Sequence, residues 1–564
     1  MVAFVSQYVV KPLRRHNCCN RRAAMWPNPG FPMRLPHIHP GRFTKNYGLA
    51  CFFGGLDPGK SLKNPAAPMT MSVADITQDA SAGRGLTPLW VGIGVYALFL
   101  LAGNRLLIDP DTMWQIAVGQ WIMDHHAVPQ TDVYSFTMRG QPWISTQWLA
   151  QVLYAKAYAV AGWSGPVVLA SGAIAATFTL LAKSLSRRLA ESTTLVFVAA
   201  ALALTVPHLL ARPHVLAMPV MVMWFGGLIA AADRRGVPTF WLLPLMALWA
   251  NLHGGFVFGL VLIAPVALDA VLGAPEVAQK SLVLRWGVFA AAALVASCCT
   301  PYGWDSLLAS RKILALGSAL PLIMEWKPAD FGSIGPLEIC LLLGIGLALL
   351  RGIKLPPMRI VLLLGLLHMA LAQERAAEIL ALLAPLVLAA PLAKQIGGAE
   401  GSVSQVVPAR SVLFAGVAIA LMAGTVAYAS VHRFEPHPHG APVAAVTELK
   451  KFNFTRVFND YDFGAYLIAN GVPTFIDGRT ELYGEKFFVD HNAASGLMEP
   501  ENLFRLLDEY KIEATLMRTQ SAATKLLDHM DGWQKVYADD IATIHVRKPG
   551  AVHTVEPVID PKLK

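Results

Sequence analysis

Long apolar runs alternate with short polar connections over most of the chain. They lie at about residues 87–108, 165–182, 194–210, 214–231, 239–251, 255–272, 285–300, 334–350, 360–372, 376–393 and 411–430. A helix crosses the hydrocarbon core of a bilayer with about 20 apolar residues, and many of these runs approach that length. The pattern predicts an α-helical polytopic membrane protein with about 11 transmembrane helices in residues 87–430. One apolar segment is set apart. Residues 148–161, WLAQVLYAKAYAVA, are short and carry Lys156, so they read as an amphipathic helix lying on the outer surface. No internal repeat is visible, which weighs against the many secondary transporters built from two related halves.

Beyond residue 430 the pattern changes. A Pro/His linker, 431–442, leads into a stretch of soluble composition, 443–549, followed by a tail, 550–564. RVFND, TFIDGR, ATLMRT and IATIHVR read as short strands, with FGAYLIANG, ENLFRLLDEYK and AATKLLDHMDG as helices between them. This alternation predicts a small C-terminal α/β domain with a largely parallel sheet. The Asp477-Gly478-Arg479 turn either closes a strand end or touches substrate.

Composition supports the membrane reading. The chain is 55% hydrophobic and 15% charged, where a soluble domain carries about 25% charged residues. The net charge of +9 arises in the first 70 residues, which hold ten Lys/Arg and one acid, Asp57. Lysines and arginines balance acids in the rest, so no nucleic-acid partner is expected. Residues 1–70 read as a basic, disordered head without the apolar core of a secretory signal. A start at Met69 or Met71 is expected, with 71–86 as a short cytoplasmic tail. The six Cys have spacings of neither a zinc site nor a disulfide framework.

Charge placement orients the chain. Lys183/Arg187/Arg188, Arg234/Arg235, Lys280/Arg285, Arg351/Lys354/Arg359 and Lys394/Arg410 fall on alternate connections, as the positive-inside rule requires of cytoplasmic loops. The opposite connections carry acids and histidines. The first of these, an outer loop at 109–164, opens with the polar, Trp- and His-rich stretch DPDTMWQIAVGQWIMDHHAVPQTDVYSFTMRGQPWISTQW. With an odd number of spans, the C-terminal domain lies on the same outer side.

Candidate chemistry gathers there. Asp109 and Asp111 follow the first apolar run, where carboxylates can act as a base or hold a divalent metal, or can cap the helix that starts near Thr112. VPHLLARPHVLAMP places His208, Arg212 and His214 at a Pro-broken turn. LWANLHGGFVFG places His253 at another. IMEWKPADF carries Glu325, Lys327 and Asp330, and Gln373-Glu374-Arg375 forms a further turn. Ionisable residues at several outer turns around one bundle mark a pathway or a site.

The ordered set DPDTMW, VPQTDVYSF, G-x-P-W, QWL, ARPH, WANLHGGF, PYGW and EWKPADF resembles a group of bacterial membrane proteins. That group is related to the GT-C glycosyltransferase superfamily, which includes the protein O-mannosyltransferases and the aminoarabinose transferases. The resemblance implies an inverting sugar transfer from a polyprenyl-phosphate donor, at a bacterial inner membrane, with the C-terminal domain in the periplasm. It implies Asp109, with Asp111, as catalytic residues. Arg212, Arg375 and Lys327 are then the donor-phosphate candidates, and Trp114, His125, His126, Asp132 and His253 the substrate contacts. Mg or Mn at the Asp pair stays open, as does the acceptor: a glycan, lipid or protein. The competing readings are a transporter or flippase of a polyprenyl-linked lipid, and a non-catalytic scaffold of a surface-polysaccharide system.

Overall fold

The computed structural model describes residues 86–396 and 408–549. The basic head, the expected start at Met69 or Met71, nearly all of the expected cytoplasmic tail and the C-terminal tail lie outside the described residues.

The fold is mostly helical. Ser164–Ser186, Glu191–His208, Pro213–Asp233, Glu276–Ser297 and Glu374–Ile396 are the 5 helices long and apolar enough to cross a membrane among the described residues. Thr87–Leu101, Phe240–Leu252, Phe256–Leu272, Pro357–Ala372 and Gly416–Val431 are shorter apolar helices, and the run at 334–350 forms Pro336–Arg351. Fewer helices reach full length than there are apolar runs because Pro and Gly trim several ends. Pro244 and Pro357 sit in first turns, and Gly254-Gly255 separates two short helices.

Pro213–Asp233 is the centre of the bundle. It is apolar all round and buried on nearly every face, with Trp224, Phe225 and Leu228 fully enclosed. Trp224 stacks on Phe289 at 5.7 Å and donates its indole N–H to the Gly259 carbonyl at 3.0 Å. Arg359 is drawn into this bundle and is not the loop cation that its place among basic residues suggests. It is 3% exposed and donates to Asp269 at 2.6 Å, to Asp233 at 2.7 Å and to the Val387 carbonyl at 3.2 Å. Arg188 also pairs with Asp233. Charges that deep in apolar surroundings are tolerated because each is paired and hydrogen-bonded.

The first polar loop is ordered. Asp111–His125 is a helix that packs on the helix Trp148–Ala161. Gly119 allows the contact, since a Cβ there would overlap the Gln151 carbonyl. Gln151 then donates to Gln115 at 2.7 Å and accepts from Ser145 at 2.8 Å.

The C-terminal domain holds a sheet of four strands, β1 (Val457–Asn459), β2 (Ala514–Arg518), β3 (Trp533–Ala538) and β4 (Ala542–Arg547), in the order β1-β2-β4-β3. Only β1 and β2 run parallel; β2–β4 and β3–β4 are antiparallel. The expected largely parallel sheet is therefore corrected to a mixed one. TFIDGR is not a strand: Thr474 makes an isolated bridge to Ser135 of the first loop. Its apolar residues, Phe475 and Ile476, are fully buried by packing instead. The following helical segment, Thr480–Ser495, kinked at Gly484, is not among the helices that the sequence pattern predicts.

Candidate active site

Asp109, Asp111, Arg212, Glu325 and Arg375 form one ion cluster. Arg212 Nη1 donates to Asp109 Oδ2 at 3.2 Å and also meets Glu325, while Nη2 meets Asp111. Glu325 turns its other oxygen, Oε2, to Arg375 Nη1 at 2.8 Å. The side chains are partly covered, between 16% and 25% exposed.

Local structure fixes each member. Arg212 is the N-cap of Pro213–Asp233 in extended backbone, which the following proline favours. Its carbonyl accepts from the Tyr154 hydroxyl at 3.1 Å, and Ala211 next to it bonds Leu106 at 2.7 Å and Thr112 at 3.1 Å. Asp109 Oδ1 accepts the Asp111 N–H at 2.8 Å while its Oδ2 pairs with Arg212, so one side chain links the start of the helix to the cluster. Arg375 sits in a 3-10 turn ahead of Ala377–Ile396. That turn is tied to the Glu325 segment by the bond from Glu374 N to the Lys327 carbonyl at 2.8 Å.

Electrostatics divides the carboxylates. Burial raises Asp109, against the opposing pull of Arg212. Burial likewise raises Asp111, to about 7, with Arg212 again opposing. Burial pushes Glu325 up too, but Arg212 and Arg375 together outweigh it and hold its carboxyl below the ordinary value. His253, in the turn after the helix Leu243–Leu252, is lowered to about 3 by burial and then by Arg375 and Arg212. It is neutral at physiological pH, and its Nδ1 accepts the Gly255 N–H at 3.1 Å. His214 lies 6.3 Å from His253 between ring centroids and 3.8 Å from Glu378. Glu378 Oε2 and His214 Nδ1 are buried without a hydrogen-bond partner.

The C-terminal domain completes one wall. The backbone of Gly478 lies against the Asp111 carboxylate and the Trp114 indole nitrogen, so closely that a Cβ there would overlap Asp111. Tyr461 faces Asp111 and Arg212 electrostatically and bonds Thr480 at 3.0 Å. Arg479 anchors this wall. It is fully buried, pairs with Asp132 at 2.5 Å and Asp477 at 2.7 Å, and lies 5.1 Å and 4.7 Å from the Tyr134 and Trp143 ring centres. Glu481 accepts from the Trp143 indole at 3.1 Å.

The residues expected at the site divide accordingly. Asp109, Asp111, Arg212, Arg375, Trp114 and His253 converge. Asp132 is taken up by Arg479 in the contact between the first loop and the C-terminal domain. His125 and His126 are exposed at the C-terminal end of the helix Asp111–His125, where His125 stacks on Trp121 at 4.2 Å. Lys327 is exposed, with only its carbonyl in a bond to the Arg375 turn. Glu325 and Gly478 also belong to the site, through contacts that the sequence does not reveal. Glu325 reads from the sequence as one ionisable residue of an outer turn, and Gly478 as part of a turn that either closes a strand end or touches substrate; neither reading names Arg212, Arg375 or Asp111 as the contact. Glu378 carried no signal beyond an acid inside an apolar run.

Among the described residues no group of three or more His, Cys, Asp or Glu is placed to hold a metal ion. The Arg212 guanidinium occupies the position between Asp109 and Asp111 that a divalent ion would need. The residues as arranged do not fit a Mg or Mn centre.

No family model and no curated protein matches the chain. Among solved structures it is similar to the archaeal oligosaccharyltransferase AglB from Archaeoglobus fulgidus, determined in complex with an inhibitory peptide and a dolichol-phosphate. Identity is 10% and the TM-score 0.43, over 82% of this chain and 75% of that one. The apo form of the Archaeoglobus fulgidus oligosaccharyltransferase gives 10% identity and a TM-score of 0.41 over the same shares.

Proposed function

We propose that the protein is an integral-membrane glycosyltransferase that moves a sugar from a polyprenyl-phosphate donor to an acceptor on the outer side of a bacterial inner membrane. The observation that carries this reading is the ion cluster itself. Two aspartates, one of them with a pKa near neutrality, stand beside two arginines where apolar helices end. A carboxylate of pKa about 7 suits a general base, because it is ionised at working pH yet basic enough to take a proton. Guanidinium pairs suit a phosphate leaving group. The eleven apolar runs are taken as spans, and the C-terminal domain as periplasmic.

In this account Asp111 takes the proton from an acceptor hydroxyl or amine. The freed acceptor atom bonds to the anomeric carbon of the sugar from the face opposite the phosphate. The bond from that carbon to the phosphate oxygen breaks, its electron pair leaves on the phosphate, and the configuration inverts. Arg212 and Arg375 stabilise the negative charge that develops there. Asp109 keeps Arg212 in place.

A second reading, transport of a polyprenyl-linked lipid, is favoured by His214 and Glu378, an ionisable pair inside the helix bundle. Reconstitution separates the two. Purified protein in liposomes with a polyprenyl-phosphate sugar pool should release free polyprenyl phosphate and labelled acceptor. Movement of intact donor across the bilayer without release would replace transfer by transport.

A further inference from the structure

Between Arg212 and Arg375 there is already an anion, the Glu325 carboxylate. It bridges them, Oε1 to Arg212 and Oε2 to Arg375, the latter at 2.8 Å. A phosphate presents a similar pair of oxygens, and a guanidinium donates its N–H groups to either anion. Glu325 also differs from the other carboxylates in the element that carries it. Asp111 begins a fifteen-residue helix and Asp109 accepts the Asp111 N–H, whereas Glu325 lies in the short turn Met324–Trp326.

We propose that Glu325 is the resident occupant of a lipid-phosphate site, and that the phosphate of an incoming polyprenyl-linked lipid displaces it from Arg212 and Arg375. The inference rests on the donor class given above and deepens it.

Charge requires an exchange and not an addition. Carboxylates already outnumber guanidiniums here, and the site is partly shielded from water. A phosphate added on top would meet the Glu325 carboxylate at the same two guanidiniums in a partly covered site, while displacement of Glu325 removes that negative charge as the phosphate arrives. The consequence is that the empty protein holds its arginines neutralised. Phosphate binding frees the Glu325 turn, so binding and the position of that turn are linked.

The test is binding of fluorescent polyprenyl phosphate, without sugar, to the full chain in detergent. Glu325→Gln keeps the shape and removes the charge. It should bind the lipid about tenfold more tightly than the parent, as expected when one charge-assisted competitor is lost. Glu325→Ala is a second variant with the same expected direction. Adding Arg375→Ala to either should remove the gain. Inorganic phosphate should compete with the lipid, which locates the contact on the phosphate.

Equal or weaker binding by both Glu325 variants, at unchanged melting temperature, overturns the proposal. Failure of inorganic phosphate to compete at any concentration overturns it as well, since binding then belongs to the lipid chain. The transfer assay stands apart. Tighter lipid binding in a protein that transfers no sugar removes the transferase reading and leaves this inference. Normal transfer with unchanged binding in the variants does the reverse.

Discussion

The backbone of Gly478 rests against the Asp111 carboxylate, although the two are far apart in the chain. The C-terminal domain therefore sets the place of a candidate catalytic group on the first polar loop. Any side chain at 478 must displace Asp111 or Trp114. Gly478→Ala should lower transfer by about 10²-fold, the scale of a small misplacement of a reacting group, while expression and melting temperature stay near those of the parent. Parent-like turnover would show that Asp111 tolerates displacement and is not the base.

Arg479 is the anchor of that wall. Its guanidinium is fully buried between Asp132, Asp477, Tyr134 and Trp143. Removing one partner of such a pair strands the other charges, at a cost of about 3–5 kcal/mol. Arg479→Ala should therefore lower stability by an amount of that size, read as a drop in the melting temperature of the purified protein. Lys should restore only part of it, because it lacks the planar fork.

Asp111 also predicts a pH dependence of stability. Burial lifts its pKa from 3.8 to about 7. Between those values the folded state keeps a proton that the unfolded chain releases. This contribution to stability is thus full below 3.8 and is lost as pH rises through about 7. Asp111→Asn cannot ionise and should flatten that part of the profile. Melting curves across the window check it, and an unchanged slope in the variant would assign the titration elsewhere.

Orientation is testable independently. A reporter active only outside the cytoplasm should work when fused after Val431 and fail when fused near Arg235. The reverse pattern would invert the placement of the whole cluster.

Much of this architecture is legible in the sequence, for physical reasons. Apolar run length marks the helices, and alternating basic connections bring Asp109, Arg212, Glu325 and Arg375 to one side before any contact is known. What stays hidden depends on long-range pairing. Asp132 and Arg479 are 347 residues apart, and nothing local distinguishes Asp132 from a solvated loop acid. Arg359 reads as one more cytoplasmic cation because its partners Asp233 and Asp269 lie 126 and 90 residues away. TFIDGR has strand composition but is buried by packing against the first loop. β3, whose residues after Trp533 are mostly exposed, offers no apolar face to recognise.

The central claim is that the carboxylates beside Arg212 perform a transfer. Cells lacking the protein, and the same cells carrying the parent, Asp109→Asn or Asp111→Asn, should be compared by lipid and glycan profiling. The account predicts that the deletion accumulates a polyprenyl-phosphate sugar and loses one outer glycan modification. The parent should restore both. Asp111→Asn should match the deletion while present in the membrane at parental level, and Asp109→Asn should be severely impaired. Full restoration of the modification by Asp111→Asn and Asp109→Asn alike would contradict the account.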